Sequence, residues 1–457
     1  MRAVKVRQIL LLTGDLTILY AALVCALLFR YKLADFEFQL RLHAIPMTMI
    51  FMVWLVVMYV NGLYDLYNTK VSQSFLKRFS ESWLVSVGLA AVLFYFVPYF
   101  QIAPRTNLFI LSVIFAAFFI LWRFIISNRA HGGIRVLAIN PTDDLIELLE
   151  QLQKNPQLGY HIVGVVAPAD RILPPDIKRF PESQPIRAIA SEYHINTITV
   201  PSLMPDTSSR LNTELYELLF WNIYTIPGTS FFESLTGRVS LSALNDSWFF
   251  ENIRPTHMPL YETIQRGIDY ILSILGLIIL GIITPFIALA IRSTSPGPLF
   301  YLQERVGKRG KHFKVIKFRT MHALTKDGGA ELTGAQITTE SDPRVTRAGR
   351  IIRRLRIDEL PQVINVLKGE MGIIGPRPER PEFVNQFEKH MPYYTIRNLI
   401  KPGLTGWAQI NYPYAETVEQ QLTKFQYDVY YIKNRSLLLD VTVILKTLHV
   451  VLYRKGR

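Results

Sequence analysis

The sequence predicts three parts in series: a membrane region of four transmembrane helices, a small doubly wound α/β domain, and a basic domain headed by a fifth membrane-embedded run. Three observations predict this. Apolar runs lie at 8–29, 44–63, 82–100 and 107–126; short β-branched runs alternate with helical patterns between 134 and 250; and a basic third follows one more apolar run at 268–291. Hydrophobic residues make up 50% of the 457 and charged residues only 19%, a balance that excludes wholesale disorder and points to a membrane. The single cysteine, Cys25, excludes a disulfide scaffold, and its place inside the first apolar run fits a buried structural role.

Each of the four runs reaches the ~20 apolar residues that cross a hydrocarbon core of about 30 Å. The first lacks a small-residue cleavage site and is read as a span rather than a signal peptide. Asp15 lies within it with no evident basic partner, which leaves a functional role and a helix-packing role equally open. Basic flanks set the orientation: Arg2, Lys5 and Arg7 before the first run, Lys70, Lys77 and Arg78 before the third, and Arg123, Arg129 and Arg135 around the end of the fourth belong on the cytoplasmic side. An even number of spans then leaves the chain after 130 in the cytoplasm.

In the middle part, strands are expected at 134–139, 161–166, 197–200 and 223–226, with a helix at 143–152, an alternation typical of a parallel doubly wound domain. A dinucleotide site is disfavoured there. No Gly-x-Gly pair exists in the chain, so the tight turn that brings a pyrophosphate to a helix N-terminus is missing where Asn140-Pro141-Thr142 follows the first strand.

The run at 268–291 is long enough to span, but spanning would carry the remainder out of the cytoplasm. Thr284-Pro285 interrupts it, and proline removes a backbone donor, so a bend is expected, which leaves a return to the same leaflet and an ordinary kinked span both open. After this run come 28 Lys and Arg against 15 Asp and Glu, so 13 of the net +14 charges lie in the last third. Arg344, Arg347, Arg350, Arg353, Arg354 and Arg356 lead into Asp358-Glu359-Leu360-Pro361, and Gly375-Pro376-Arg377-Pro378 follows. Arginine forks match phosphate oxygens, while paired carboxylates offer one group for covalent attack and one for a divalent metal. Pro361 suits a first helical turn, which sets Asp358 and Glu359 near a helix N-terminus. The stretch 344–358 contains no aromatic platform for RNA, so nucleic acid is not an expected partner. Zinc is disfavoured by one cysteine and nine histidines without ligand spacing.

Five motifs in order, Gln303-Glu304-Arg305-Val306-Gly307, Lys317-Phe318-Arg319-Thr320-Met321, Asp358-Glu359-Leu360-Pro361-Gln362, Gly375-Pro376-Arg377-Pro378 and Lys401-Pro402-Gly403-Leu404-Thr405-Gly406-Trp407, resemble the bacterial sugar-transferase family of polyprenol-phosphate phosphoglycosyl transferases. The likeness covers 258–457, and the preceding parts resemble the long, exopolysaccharide-type branch, including Leu235-Thr236-Gly237-Arg238-Val239 and Trp248-Phe249. The resemblance implies a four-helix transmembrane region at 1–130, a Rossmann-like α/β domain at 131–255, and a mainly α-helical α+β catalytic domain at 256–457 with a re-entrant helix at 262–292 broken at Thr284-Pro285. It further implies transfer of glucose or galactose 1-phosphate from a UDP-sugar to undecaprenyl phosphate, with UMP released, in the bacterial inner membrane. On the matching positions Asp358 is the nucleophile and Glu359 helps hold Mg²⁺. Arg353 and Arg377 engage phosphate, and Lys317, Arg319, Glu304 and Arg305 belong to the same phosphate-binding motifs. Membrane lipid is a partner, and a homo-oligomer is left open.

Two rivals are weighed. A membrane-attached nucleotide-sugar epimerase or dehydratase needs a Gly-rich NAD turn and a Tyr-x-x-x-Lys pair, and no tyrosine here has lysine four positions later. A non-catalytic membrane scaffold or regulator of polysaccharide export would make Asp358 and Glu359 dispensable.

Overall fold

The computed structural model describes residues 2–65, 71–96, 105–129, 133–201, 209–221, 223–253, 258–324, 342–413, 415 and 417–452. They form two compact units, Met1–Leu235 and Thr236–Arg457.

The first unit begins with helices α1 (Arg2–Arg30), α2 (Phe36–Val60), α3 (Gln73–Phe96) and α4 (Arg105–Arg129). α1 packs on α2 and α4, and α3 closes the bundle between them. Phe75 and Phe79 stack on Phe119 at its centre, and Phe115 packs beside them at a tilt to Trp54. Three stretches here, Gln8–Arg30, Leu33–Val60 and Thr106–Ile126, are long and apolar enough to cross a membrane. The expected third run differs. α3 starts well before 82 because Phe75 and Phe79 belong to the core, which draws Lys77, Arg78 and Glu81 into its first turns, and 97–100 lie outside the described residues.

Polar groups join these helices where hydrocarbon would otherwise leave them unpaired. Asn107 on α4 accepts from Arg30 Nη1 at 2.7 Å and meets His43 Nε2 at 2.9 Å. Asp15 has a basic partner after all: Arg123 Nη2 on α4 donates to its Oδ2 at 2.6 Å, with both side chains buried. Arg123, expected on the cytoplasmic flank, lies inside the bundle, its guanidinium 4.8 Å from the Phe119 ring centroid.

The α/β part follows as β1 (Ile134–Ile139), α5 (Asp143–Lys154), β2 (Tyr160–Val166), β3 (Arg179–Phe180), α6 (Ile186–Glu192), β4 (Thr197–Val200), α7 (Ser209–Leu218), β5 (Tyr224–Pro227) and α8 (Gly228–Thr236). The sheet has order β3-β2-β1-β4-β5 and every pairing is parallel, as a doubly wound domain requires. β1 alternates between two cores: Val136 and Ala138 pack with Leu145 and Leu149 of α5, while Leu137 and Ile139 pack with Ile189 of α6 and Leu215 of α7. The two-residue edge strand β3 has no periodicity and was not expected. At the end of β1, Asn140 takes a φ of 40°, where a Rossmann turn would use glycine.

The second unit contains α9 (Asp246–Asn252), α10 (Pro259–Thr294), β6 (Phe300–Val306), β7 (His312–Phe318), α11 (Arg347–Arg354), α12 (Val363–Leu367), β8 (Gly372–Ile374), α13 (Pro381–His390), β9 (Gly403–Thr405), α14 (Trp407–Asn411), α15 (Val418–Lys433) and α16 (Leu437–Leu452). Residues 236–253, expected with the α/β domain, belong to this unit: Val239 and Trp248 share a core with Phe387, Tyr394 and Phe425. β6 and β7 form an antiparallel hairpin, and the short β8 and β9 pair in parallel. α10 is the fourth helix long and apolar enough to cross a membrane, with Ile271, Ile278, Phe286 and Leu289 exposed along it. Pro285 lies inside α10 without ending it. The Thr284 hydroxyl donates to Leu280 O at 2.6 Å, a back-bond that bends helices. The chain is thus a membrane protein by its helices, with a parallel α/β region and a mainly helical carboxy-terminal part.

Candidate active site

The carboxylate pair is carried by a 3₁₀ turn at Ile357–Gln362 and held from three sides. Thr346 caps α11 by accepting from Gly349 N at 2.9 Å, and Gly349 is pressed against Thr320, where a Cβ would come within 2.0 Å of the carbonyl oxygen. After α11, Arg356 adopts a left-handed φ of 59°, which reverses the chain and sets Asp358 and Glu359 in the first turn that follows. α12 then packs against α10, with Val363 over Gly276. Fully buried Asn365 ties α12 to β7, donating to Lys314 O at 2.8 Å and accepting from Ile316 N at 3.1 Å.

On the far side, β8 and β9 bring Gly375 and Gly403 into backbone contact. Gly403 N donates to Pro376 O and Gly375 N to Thr405 O, both at 2.9 Å, and a Cβ on Gly403 would sit 2.0 Å from Gly375 N. Only glycine permits that approach. It fixes the start of the segment that carries Arg377.

Four cations and two carboxylates of the expected set come together. Arg377 Nη2 donates to Glu359 Oε1 at 2.6 Å, and Nη1 lies 3.5 Å from Oε2. Lys317 Nζ on β7 is 3.7 Å from the same Oε1. Arg305 on β6 reaches the Arg377 segment, donating to Pro378 O at 3.0 Å and lying 3.6 Å from Glu379 Oε2. Arg353 donates through Nε to Thr320 Oγ1 at 2.8 Å. Asp358 Oδ1 is buried without a hydrogen-bond partner.

The charges follow from this packing. Burial and then the Glu359 charge push the Asp358 carboxyl above the usual carboxylate range. Burial disfavours the Glu359 charge too, but Arg377 and Lys317 outweigh it and hold that carboxyl well below its ordinary value. Burial lowers Lys317 to about 8 and Arg305 to about 10. Glu359 is therefore spoken for as an anion, while Asp358 is the less stabilised and more basic of the two.

Two residues of the expected set stand apart. Arg319 is buried, but its guanidinium donates to Ser295 Oγ at 3.1 Å and to the carbonyls of Ser295 and Pro296, so it secures the chain after α10. Glu304 is exposed on the hairpin and meets His312 Nδ1 at 2.9 Å. The arginine-rich run is also not one surface: Arg344 grips Asp342 with two nitrogens, and Arg347, Arg350, Arg354 and Arg356 are exposed.

A supporting network escaped the sequence reading. Arg397 is buried and donates to Asp428 Oδ2 at 2.7 Å, to Tyr394 Oη at 2.7 Å and to the backbone carbonyl of Arg377 at 2.9 Å. Glu379 lies 3.8 Å from Arg397 and faces Arg305 as well. The one signal available was Lys424 and Asp428, four apart on α15 inside the apolar stripe Phe425, Val429 and Ile432.

The chain is similar to known proteins in both of its units. Residues 260–454 match the model described as bacterial sugar transferase, and residues 59–199 match one described as a CoA-binding domain. A Bacillus subtilis (strain 168) protein named as a putative undecaprenyl-phosphate N-acetylgalactosaminyl 1-phosphate transferase is 47% identical over 137 residues, 30% of this chain and 74% of that protein. A UDP-N-acetylgalactosamine-undecaprenyl-phosphate N-acetylgalactosaminephosphotransferase of Aeromonas hydrophila is 42% identical over 48% of this chain and 50% of its own. A Klebsiella pneumoniae UDP-glucose:undecaprenyl-phosphate glucose-1-phosphate transferase is 28% identical over 90% of this chain and 89% of its own. The chain belongs to the bacterial sugar transferase family. The match spans half or less of the length of several of the curated relatives.

Proposed function

We propose that the protein transfers a hexose 1-phosphate, glucose or galactose 1-phosphate by the family resemblance, from a UDP-sugar to undecaprenyl phosphate at the cytoplasmic face of the bacterial inner membrane, as the first membrane step of a surface polysaccharide. The observation that carries this reading is the unpartnered, buried Asp358 Oδ1 beside the Glu359, Arg377 and Lys317 cluster. In the first step an Asp358 oxygen attacks the phosphorus bearing the sugar. The bond from that phosphorus to the bridging oxygen breaks, and UMP leaves with the electron pair. In the second step a phosphate oxygen of undecaprenyl phosphate attacks the same phosphorus and the Asp358 carboxylate departs. Lys317, Arg377, Arg305 and Arg353 offset the charge that gathers on the phosphoryl oxygens. Purified protein incubated with undecaprenyl phosphate and UDP-glucose, UDP-galactose or UDP-N-acetylgalactosamine should release UMP with at least one donor. No release with any of them would overturn the proposal.

Mg²⁺ is the proposed cofactor. No group of three or more His, Cys, Asp or Glu converges among the described residues, so no all-protein cage is available there. Mg²⁺ needs only one or two carboxylates beside water and substrate phosphates. Glu359 suits that role because its Oε2 makes only the 3.5 Å contact with Arg377. Bound there, the ion would offset charge on the diphosphate. Glu359→Gln should raise the Mg²⁺ concentration for half-maximal UMP release by about tenfold or more. A titration matching the parent would reassign Glu359 to orienting Arg377.

The ionisations give a pH signature. The first step needs Asp358 deprotonated and is lost as pH falls through a value above the ordinary ~4 of a carboxylate. Charge stabilisation needs Lys317 protonated and is lost as pH rises through about 8. kcat/KM should therefore be bell-shaped, and Lys317→Arg should flatten the alkaline limb, since guanidinium keeps its proton there. An alkaline limb unchanged in Lys317→Arg would remove Lys317 from the reaction.

For α10 we retain the re-entrant reading. Its 36 residues measure about 54 Å as a straight helix, against a hydrocarbon core of ~30 Å. A bend at Thr284-Pro285 keeps both ends on the side of the soluble donor. Pro285→Leu should let some molecules cross fully. A cysteine appended to the carboxy terminus in a Cys25→Ser background should resist an impermeant thiol reagent in spheroplasts, and become partly labelled after Pro285→Leu. Full labelling of the unmutated reporter would mean that α10 already spans.

A further inference from the structure

A second set of cations gathers in the same unit at the polar base of α10. A cavity of about 60 Å³ is lined by Arg266, Lys308, Lys401 and Arg435, with Glu262 and Asp269 as its carboxylates. Asp269 is already engaged, accepting from Ile373 N at 2.8 Å. Among the described residues none of the four basic side chains has a hydrogen-bonded or ion-paired protein partner, and none belongs to the Asp358 cluster. Arg435 is the clearest case: its Nε and Nη2 are buried without an acceptor, while its guanidinium lies 5.6 Å from the Tyr261 ring centroid. Burial, and then the like charges of Arg266 and Lys308, hold Lys401 below its usual value. Buried donors left unpaired, as on Arg435, are costly, and an anion shared with the three neighbouring cations relieves that cost.

The surroundings say which anion. Beyond Asp269, α10 turns outward-facing and apolar at Ile271, Ile274 and Ile278, and beyond Arg435, α16 does the same at Leu438 and Val441. Two exposed apolar faces thus begin within about a helical turn of the cavity, the arrangement in which basic side chains meet headgroups at a membrane surface. Cavities that enclose a small-molecule ligand run to ~300 Å³ or more, so this one takes a single headgroup rather than a sugar nucleotide. We propose that the cavity binds the phosphate of a membrane lipid, held by Arg266, Lys308, Lys401 and Arg435 while its chains lie along α10 and α16.

Two lipids carry that chemistry, a bulk anionic phospholipid and a polyprenyl phosphate, and they are separated by titrating each into the full chain in neutral detergent. With dioctanoyl phosphatidylglycerol and a short-chain polyprenyl phosphate followed by native mass spectrometry, Arg266→Gln/Arg435→Gln should bind at least one of the two about tenfold or more weakly than the parent. A loss for phosphatidylglycerol assigns the cavity to bulk lipid, and a loss for the polyprenyl phosphate alone assigns it to the acceptor. Asp358→Asn should bind phosphatidylglycerol as the parent does, which separates this site from the catalytic cluster. Should the double variant not fold, Arg266→Gln, on the exposed side of the helix, is read instead by the same titrations. Affinities for both lipids equal to the parent's overturn the proposal.

Discussion

Asp358→Asn is expected to lower UMP release by on the order of 10⁴-fold or more while the protein still inserts and folds. The amide keeps the shape of the side chain but supplies no anionic oxygen to attack phosphorus. Oδ1 is buried and makes no hydrogen bond, so the substitution breaks no such contact at that atom. Burial and the neighbouring Glu359 charge already disfavour the Asp358 anion, so neutralising it relieves repulsion rather than leaving a partner stranded. The unfolding midpoint should accordingly stay at or above that of the parent. A second measurement bears on the same residue: brief incubation with UDP-sugar alone should leave a phosphosugar on the parent, visible as a mass increment, and none on Asp358→Asn. Parent-like turnover in the variant would remove Asp358 as the nucleophile.

The fold was legible where periodicity is strong. Three of the front helices, α1, α2 and α4, announce themselves by apolar length, and strands at 134–139 and 197–200 by β-branched runs, because burial on both faces demands continuous hydrophobicity. α3 was misjudged at its start because apolar length is the wrong measure for a helix whose first turns bury Phe75 and Phe79 yet carry Lys77 and Arg78. Partners across the bundle were invisible for a different reason: Asp15 and Arg123 are 108 residues apart, and only the helix packing reveals that one neutralises the other. At the candidate site, motif order brought Asp358, Glu359, Arg377, Lys317, Arg305 and Arg353 into view together. It could not say which basic residues face the carboxylates, since Arg319 sits two residues after Lys317 and points instead at the end of α10. The Arg397 network lay beyond reach altogether, because its members come from chain segments with no shared pattern.

That network carries the second large effect, on stability as well as turnover. Arg397→Met is expected to destabilise the second unit by about 3–5 kcal/mol, the usual cost of removing one member of a buried ion pair. Its guanidinium joins three pieces of chain: Tyr394 beside it, Asp428 on α15 and the carbonyl of Arg377. Without it Asp428, 2% exposed, keeps a charge offset by Lys424, and Glu379 loses its nearest cation on that side. For a unit of this size each kcal/mol lowers the melting midpoint by roughly 2–4 °C, so a fall on the order of 10 °C is expected in detergent. Arg397→Lys should recover part of it, since an ammonium restores the charge but cannot span three acceptors with a planar fork. Turnover separates positioning from mere folding. Below the lowered midpoint, Arg397→Met should still show reduced kcat, because the Arg377 carbonyl is no longer held and its side chain no longer meets Glu359 at hydrogen-bond distance. Asp428→Asn, which leaves the bond to Arg377 in place, should lower the midpoint while changing kcat little. Equal losses of kcat in the two variants would mean that the network supports the fold without positioning Arg377.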